Sequence, residues 1–185
     1  MSPDLILILG GARSGKSTYA ESLAAETGRH VLYVATAEAR DQEMAVRIEA
    51  HRGARPAAWQ TLEAPHNVGA ALAAVADRPD AILLDCLTLL VSNILLAKES
   101  QPAEKIEKAV QTEIEAILVA RKRLDVPLIV VSNEVGLGLV PPYAVGRLYR
   151  DVLGRANQQL AAFADRVLFM VAGLPVIVKG KGQGT

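Results

Sequence analysis

The chain predicts an α/β fold, one doubly wound and mainly parallel sheet, on three observations. Short aliphatic runs recur along it: "DLILILG" (Asp4–Gly10), "HVLYVAT" (His30–Thr36), "AILLDC" (Ala81–Cys86) and "PLIVVSN" (Pro127–Asn133). Strands covered on both faces need such runs, because neither face meets water. Stretches with helical periodicity stand between them, and strand–helix alternation is the mark of a parallel sheet. Finally, the residues are 51% hydrophobic but only 4% aromatic, which suits aliphatic packing between sheet and helices.

In order, "DLILILG" is a buried strand ended by glycines, and "SGKSTYAESLAAETG" is a helix stopped at Gly28. "HVLYVAT" completes a βαβ unit. Asp41–Arg52 is helical, with Met44, Ile48 and His51 at i, i+4 and i+7 on one stripe. "WQTLE" is a short strand and "NVGAALAAVAD" a helix. "AILLDC" is a strand followed by two helices, "LLVSNILLAK" and an amphipathic one over Ala103–Leu124. After "PLIVVSN" comes a Gly/Pro-rich loop, "EVGLGLVPP", and then a helix over Ala144–Ala164. "RVLFMVAG" and "PVIVKG" form two closing strands with a turn at Gly173–Pro175. No repeat or linker divides the 185 residues, so one domain is expected over 1–185, frayed over 180–185 ("GKGQGT").

Composition narrows the function. A formal net charge of zero gives no reason to expect a nucleic-acid partner. One cysteine, Cys86, excludes an internal disulfide and a multi-cysteine zinc site. Neither a leader nor an apolar run near the roughly 20 residues of a membrane helix is present. A cytoplasmic protein without stable membrane insertion is the expectation.

"GGARSGKS" fits G-x-x-x-x-G-K-[ST], between a strand and a helix as that motif requires. Gly10, Gly11, Ala12, Arg13, Ser14 and Gly15 would curl so that backbone N–H groups meet phosphate oxygens. The helix N-terminus adds partial positive charge. Lys16 would reach the β- and γ-phosphates, and the Ser17 hydroxyl would ligate Mg²⁺. The class thus becomes a single P-loop NTPase-like (RecA-like) domain. Asp85, closing an apolar strand, stands where a Walker-B carboxylate would meet the same Mg²⁺; the other reading is a cap on the next helix. No N-K-x-D segment follows, and no D-x-x-G switch adjoins the Walker-B strand, where Asp85 is followed by Cys86, Leu87 and Thr88, which argues against a regulatory GTPase.

His51 is open on its residues alone. It fits a partly buried structural histidine, and it fits a nucleophile, because a neutral imidazole nitrogen attacks phosphorus readily. A nucleophilic ring needs an acceptor on its second nitrogen, and Glu49 and Glu63 are candidates. Arg47, Arg52 and Arg55 could bind a triphosphate or form a solvated basic helix end. Asn133 and Glu134 could touch substrate or simply close their turn. Arg147, Arg150 and Arg155 could line the cleft or a solvated face.

"GGARSGKS", "YVAT", "RIEAHRGARPAAWQTLEAP", "ILLDCLTLLVSN", "VVSNEVGLGLVP" and "RDVLGRANQQLAAFADRVLFMVAGLPV" occur in one order over Leu5–Lys179. Together they resemble the bifunctional adenosylcobinamide kinase / adenosylcobinamide-phosphate guanylyltransferase family of cobalamin biosynthesis. The resemblance implies phosphorylation of adenosylcobinamide with ATP or GTP. Transfer of GMP from GTP would follow through a guanylylated histidine, giving adenosylcobinamide-GDP. It makes His51 and Lys16 the catalytic residues. Nucleotide contacts fall on Gly10–Ser17, Ala35, Thr36, Ala37, Arg52, Gly53, Ala54, Arg55, Glu63 and Asp85, with Ser17 and Asp85 on the metal. It also implies a homo-oligomer, a trimer, with adenosylcobinamide and its phosphate as the other partners. Two rival readings are a plain small-molecule kinase with a structural His51 and a RecA-like ATP-binding protein that ignores corrinoids.

Overall fold

All four aliphatic runs become strands of one seven-stranded sheet. The computed structural model describes residues 4–39, 42–53 and 55–180; the side chains at 43, 44, 47, 50 and 51 lie outside that description. The elements are β1 (Leu5–Gly10), α1 (Lys16–Thr27), β2 (Val31–Ala35), α2 (Gln42–Gly53), β3 (Gln60–Glu63), α3 (Val68–Ala73) and β4 (Ala81–Asp85). Then come α4 (Leu87–Ala97), α5 (Ala103–Leu124), β5 (Leu128–Val131), α6 (Ala144–Phe163), β6 (Arg166–Val171) and β7 (Leu174–Lys179).

The sheet order is β3-β2-β4-β5-β1-β6-β7. Every neighbouring pair is parallel except β6 and β7. The βαβ unit read from the sequence does not pair its own strands, because β4 and β5 lie between β1 and β2.

Side-chain alternation divides the core in two. Leu5, Leu7, Leu32, Val34, Ile82, Leu84, Leu128 and Val130 face α3, α4, α5 and α6. Ile6, Ile8, Val31, Tyr33, Leu83, Ile129 and Val131 face α1, which contributes Ala20, Leu23 and Ala24. On α5 the buried positions Ile106, Val110, Ile114, Ile117, Ala120 and Leu124 form one stripe at helical spacing. Its first turn carries Glu104 and its last Arg121, Lys122 and Arg123, each sign complementing the helix dipole.

One boundary needs correction. The closing turn is Ala172–Gly173, both at positive φ (52° and 83°), as a two-residue hairpin with the sheet's twist requires. Pro175 is not in the turn; it pairs with Met170 inside β7. An edge strand tolerates that proline because half its N–H groups have no ladder partner to lose. Among the described residues, no helix is long and apolar enough to cross a membrane. The frayed end expected over 180–185 lies, beyond Gly180, outside the described residues.

Candidate functional site

Parallel pairing brings the carboxyl ends of the strands to one edge, which is where such sheets bind ligands. Ala35 stands opposite Glu63 on one side and Asp85 on the other. Asp85 stands opposite Val131, and Val131 opposite Ile8. Three residues expected at the site, from three separate strands, therefore share one rung. Gly10 follows two residues beyond it.

The phosphate loop leaves β1 at Gly10 and enters α1 at Lys16. A Cβ on Gly10 would lie 2.6 Å from Ser14 Oγ and 2.8 Å from the Met170 carbonyl, so only glycine fits. Gly15 has φ +90°, a left-handed conformation that costs a side-chain-bearing residue about 1–2 kcal/mol. Arg13 is also left-handed (φ 58°). Ser14 N–H donates to the Gly11 carbonyl (3.3 Å), and Lys16 Nζ donates to the same oxygen (2.5 Å). Lys16 is only 7% exposed. Burial lowers its pKa, while Cys86 and the Asp85 carboxylate oppose that fall. The Ser14 hydroxyl is buried with no partner. An inward lysine and an unpaired hydroxyl inside a curled loop are what a phosphate would satisfy.

Asp85 does not cap α4, whose N-cap is Cys86 with no side-chain cap bond. Instead Asp85 Oδ2 accepts a hydrogen bond from the Tyr33 hydroxyl at 2.9 Å. The Asp85–Cys86 peptide is cis. Thr36 Oγ1 accepts from Cys86 N–H (2.9 Å) and donates to its carbonyl (2.7 Å), clasping β2 to β4 just past the rung. Asn93 on α4 donates to the Thr36 and Pro65 carbonyls at 2.9 and 3.0 Å. Ala37 follows, half-buried. A Mg²⁺ ion would find here the half-buried Ser17 hydroxyl and Asp85; among the described residues, no three His, Cys, Asp or Glu side chains group around a metal. That sparse donor set fits an ion that takes most of its ligands from phosphate and water.

The basic segment reaches the same edge. Arg52 Nη2 lies 3.1 Å from Glu63 Oε1, so Glu63 engages an arginine. Gly53 ends α2, and Ala54 lies outside the described residues. Arg55 lays its guanidinium over the Tyr33 ring, 3.6 Å from the centroid, and donates to Thr61 Oγ1 (3.1 Å). Its Nε is buried without a partner. His51 belongs to α2 immediately before Arg52; its side chain, like that of Met44, lies outside the described residues. Ile48 on the expected stripe is half-buried, and Glu49 is exposed.

The loop after β5 is tied to the phosphate loop by Glu134 N–H donating to the Gly10 carbonyl (3.1 Å). Glu134 Oε1 accepts from Gly136 N–H (2.6 Å), closing its own turn. Asn133 N–H donates to Thr88 Oγ1 (2.7 Å). Arg147 holds the Pro141 and Pro142 carbonyls, Arg150 pairs with Asp151, and Arg155 pairs with Glu107.

Sequence reasoning missed Tyr33, Trp59, Thr88, Asn93 and the contact of His66 Nε2 with Glu38 Oε1 at 2.8 Å. Tyr33 in "YVAT" and Trp59 in "WQTLE" read as strand residues, and no local spacing pairs them. A cavity of about 770 Å³ between α5 and α6, lined by Val110, Leu118, Val152, Arg155, Ala156 and Phe163, touches none of Gly10–Ser17, Asp85 or Arg52–Glu63, and it takes Arg155 away from that edge.

Comparison with known proteins follows the same chemistry. The family model "Cobinamide kinase / cobinamide phosphate guanyltransferase" matches residues 6–178. The bifunctional adenosylcobalamin biosynthesis protein CobP of Pseudomonas aeruginosa is 47% identical over 175 residues, 95% of this chain and 97% of that protein. CobU of Salmonella typhimurium, a protein of the same description, is 42% identical over 181 residues, 95% and 99% of the two chains. CobU of Escherichia coli is 40% identical over 181 residues, again 95% and 99%. Among solved structures, the RadB recombinase superposes with a TM-score of 0.56 at 16% identity, over 99% of this chain and 84% of its own. That likeness is one of fold alone, and it agrees with the RecA-like P-loop architecture that the sequence predicts.

Proposed function

Because this chain belongs to the cobinamide kinase / cobinamide phosphate guanyltransferase family, we propose that its two reactions share one nucleotide site, with Lys16 serving phosphoryl transfer and His51 guanylyl transfer. The activities are those of a bifunctional kinase and guanylyltransferase of adenosylcobalamin biosynthesis.

In the kinase step, the substrate hydroxyl oxygen of adenosylcobinamide bonds to the γ-phosphorus of ATP or GTP. The bridging P–O bond breaks, the nucleoside diphosphate leaves and the hydroxyl proton is released. Lys16, held inward and partly desolvated, places its charge on the transferring group. Bound Mg²⁺, on Ser17 and Asp85, would neutralise charge shared by the β- and γ-phosphates. In the second reaction a His51 ring nitrogen bonds to the α-phosphorus of GTP, and pyrophosphate leaves. An oxygen of cobinamide phosphate then attacks that phosphorus, the P–N bond breaks, and His51 is restored as adenosylcobinamide-GDP forms. A covalent intermediate divides one displacement into two easier ones. Gly10–Ser17 would hold phosphates, while Ala35–Ala37, Arg52–Arg55 and Glu63 would contact the rest of the nucleotide. A homo-oligomer, trimeric by the family resemblance, working in the cytoplasm belongs to the same reading.

The observation that carries it is the Arg52–Glu63 contact at 3.1 Å, which anchors the residue next to His51 at the strand edge that holds Asp85. The test is to assay the half-reactions separately. His51→Ala should keep phosphorylation of adenosylcobinamide and lose transfer of GMP to its phosphate. Lys16→Ala should lower the kinase rate by at least about a hundredfold. Guanylyl transfer surviving in His51→Ala would return the histidine to a structural role.

A further inference from the structure

Tyr33 is 3% exposed, within the apolar cluster between the sheet and α1. A phenylalanine would fill that space, and a hydroxyl there is unfavourable unless it is bonded. Its bond goes to Asp85 Oδ2, 52 residues away, at 2.9 Å. The ring cannot swing. Trp59 stacks against it with centroids 6.4 Å apart and planes at 30°, and Arg55 covers it at 3.6 Å. Arg55 is fixed in turn by Thr61, which sits opposite Tyr33 in the β2–β3 register. Asp85, by contrast, ends its strand half-buried, and its carboxylate needs an outside contact to hold one orientation.

We propose that Tyr33 is a positioning residue for the nucleotide's metal ion: its locked hydroxyl holds Asp85 Oδ2 and so orients the carboxylate for Mg²⁺, while Arg55 on its ring ties this arrangement to the basic segment after α2. The proposal rests on the reading of Asp85 as the metal carboxylate. Mg²⁺ demands near-octahedral geometry and tolerates a turned ligand poorly, so orientation is where a second residue has leverage. A cation on the ring face also draws electron density from the phenol and strengthens its O–H as a donor.

The test is calorimetric titration of a GTP analogue with a methylene between its α- and β-phosphorus, at graded Mg²⁺ and in EDTA. It uses the whole protein and its Tyr33→Phe, Asp85→Asn and double variants. Tyr33→Phe should need roughly tenfold more Mg²⁺ for half-maximal tightening, with affinity in EDTA unchanged. In the Asp85→Asn background the same change should add nothing further. A Mg²⁺ dependence in Tyr33→Phe equal to the wild type, beside a weakened Asp85→Asn, overturns the role of Tyr33 alone. An unaltered Asp85→Asn overturns the metal reading beneath it. Should Tyr33→Phe fold poorly, the buried hydroxyl proton of the unmutated chain supplies a second readout by NMR. It should move when Mg²⁺ joins the analogue and vanish in Asp85→Asn; a proton indifferent to both overturns the proposal.

Discussion

The N–H of Gly173, at the tip of the β6–β7 hairpin, donates to the carbonyl of Ser14 at 3.0 Å. The last hairpin therefore braces the phosphate loop, and a Cβ on Gly15 would lie 3.1 Å from Gly173 Cα. Gly15→Ala combines that contact with a left-handed backbone, so it should destabilise the nucleotide-free protein by about 1–2 kcal/mol in urea unfolding. Gly11→Ala, with nothing within 4 Å of its added carbon, should unfold like the parent. Equal midpoints for the two variants would show that the brace does not exist in solution.

Cys86 follows Asp85 but is chemically quiet. Burial, aided by the charge of Asp85, pushes its thiol up to about 11. Below both values the thiolate is about a hundredfold scarcer than for an ordinary cysteine. Iodoacetamide at pH 8 should therefore label the folded protein about a hundredfold more slowly than the urea-unfolded chain. Comparable rates would contradict this environment.

Asp80 gives a pH dependence of definite sign. The His30 N–H donates to its carboxylate at 2.8 Å, and this bond, with that of Arg29, holds its pKa below the usual value. A depressed carboxylate stabilises the fold fully above its unfolded pKa and loses that contribution as pH falls through the lower folded value. Asp80→Asn should thus flatten the acid limb of a stability profile taken from pH 6 to 2. An unchanged limb would remove Asp80 from the acid response.

Asn93 is 4% exposed and bridges the carbonyls of Thr36 and Pro65. Asn93→Ala leaves both without that donor, at about 1–3 kcal/mol of stability. The Thr36 clasp on Cys86 should loosen with it, so affinity for GTP should fall as well. Measuring unfolding and GTP binding on the same variant separates the effects; lost stability with full affinity would confine Asn93 to the scaffold.

Much of this was legible because it is local. The phosphate loop carries its chemistry in eight consecutive residues, and the aliphatic runs declare strands buried on both faces. Strand order was not legible, since a βαβ unit does not say whether its two strands are adjacent, and here β4 and β5 lie between β1 and β2. The hairpin turn was misplaced towards Pro175, because proline usually signals a turn and only the edge position of β7 makes it tolerable in a strand. Tyr33 stayed hidden because its meaning lies in Asp85, a strand away in space and 52 residues away in sequence. His51 could be singled out by its arginine neighbours, yet the role proposed for it comes from resemblance to a family and not from spacing.

That role is open to one direct measurement. The purified protein is incubated with Mg²⁺ and GTP labelled at the α-phosphate, and the chain is examined for acid-labile, alkali-stable label. Label on the wild type, absent from His51→Ala and discharged by adenosylcobinamide phosphate, is the expected result. An unlabelled chain that binds GTP and still forms adenosylcobinamide-GDP would contradict the covalent route through His51.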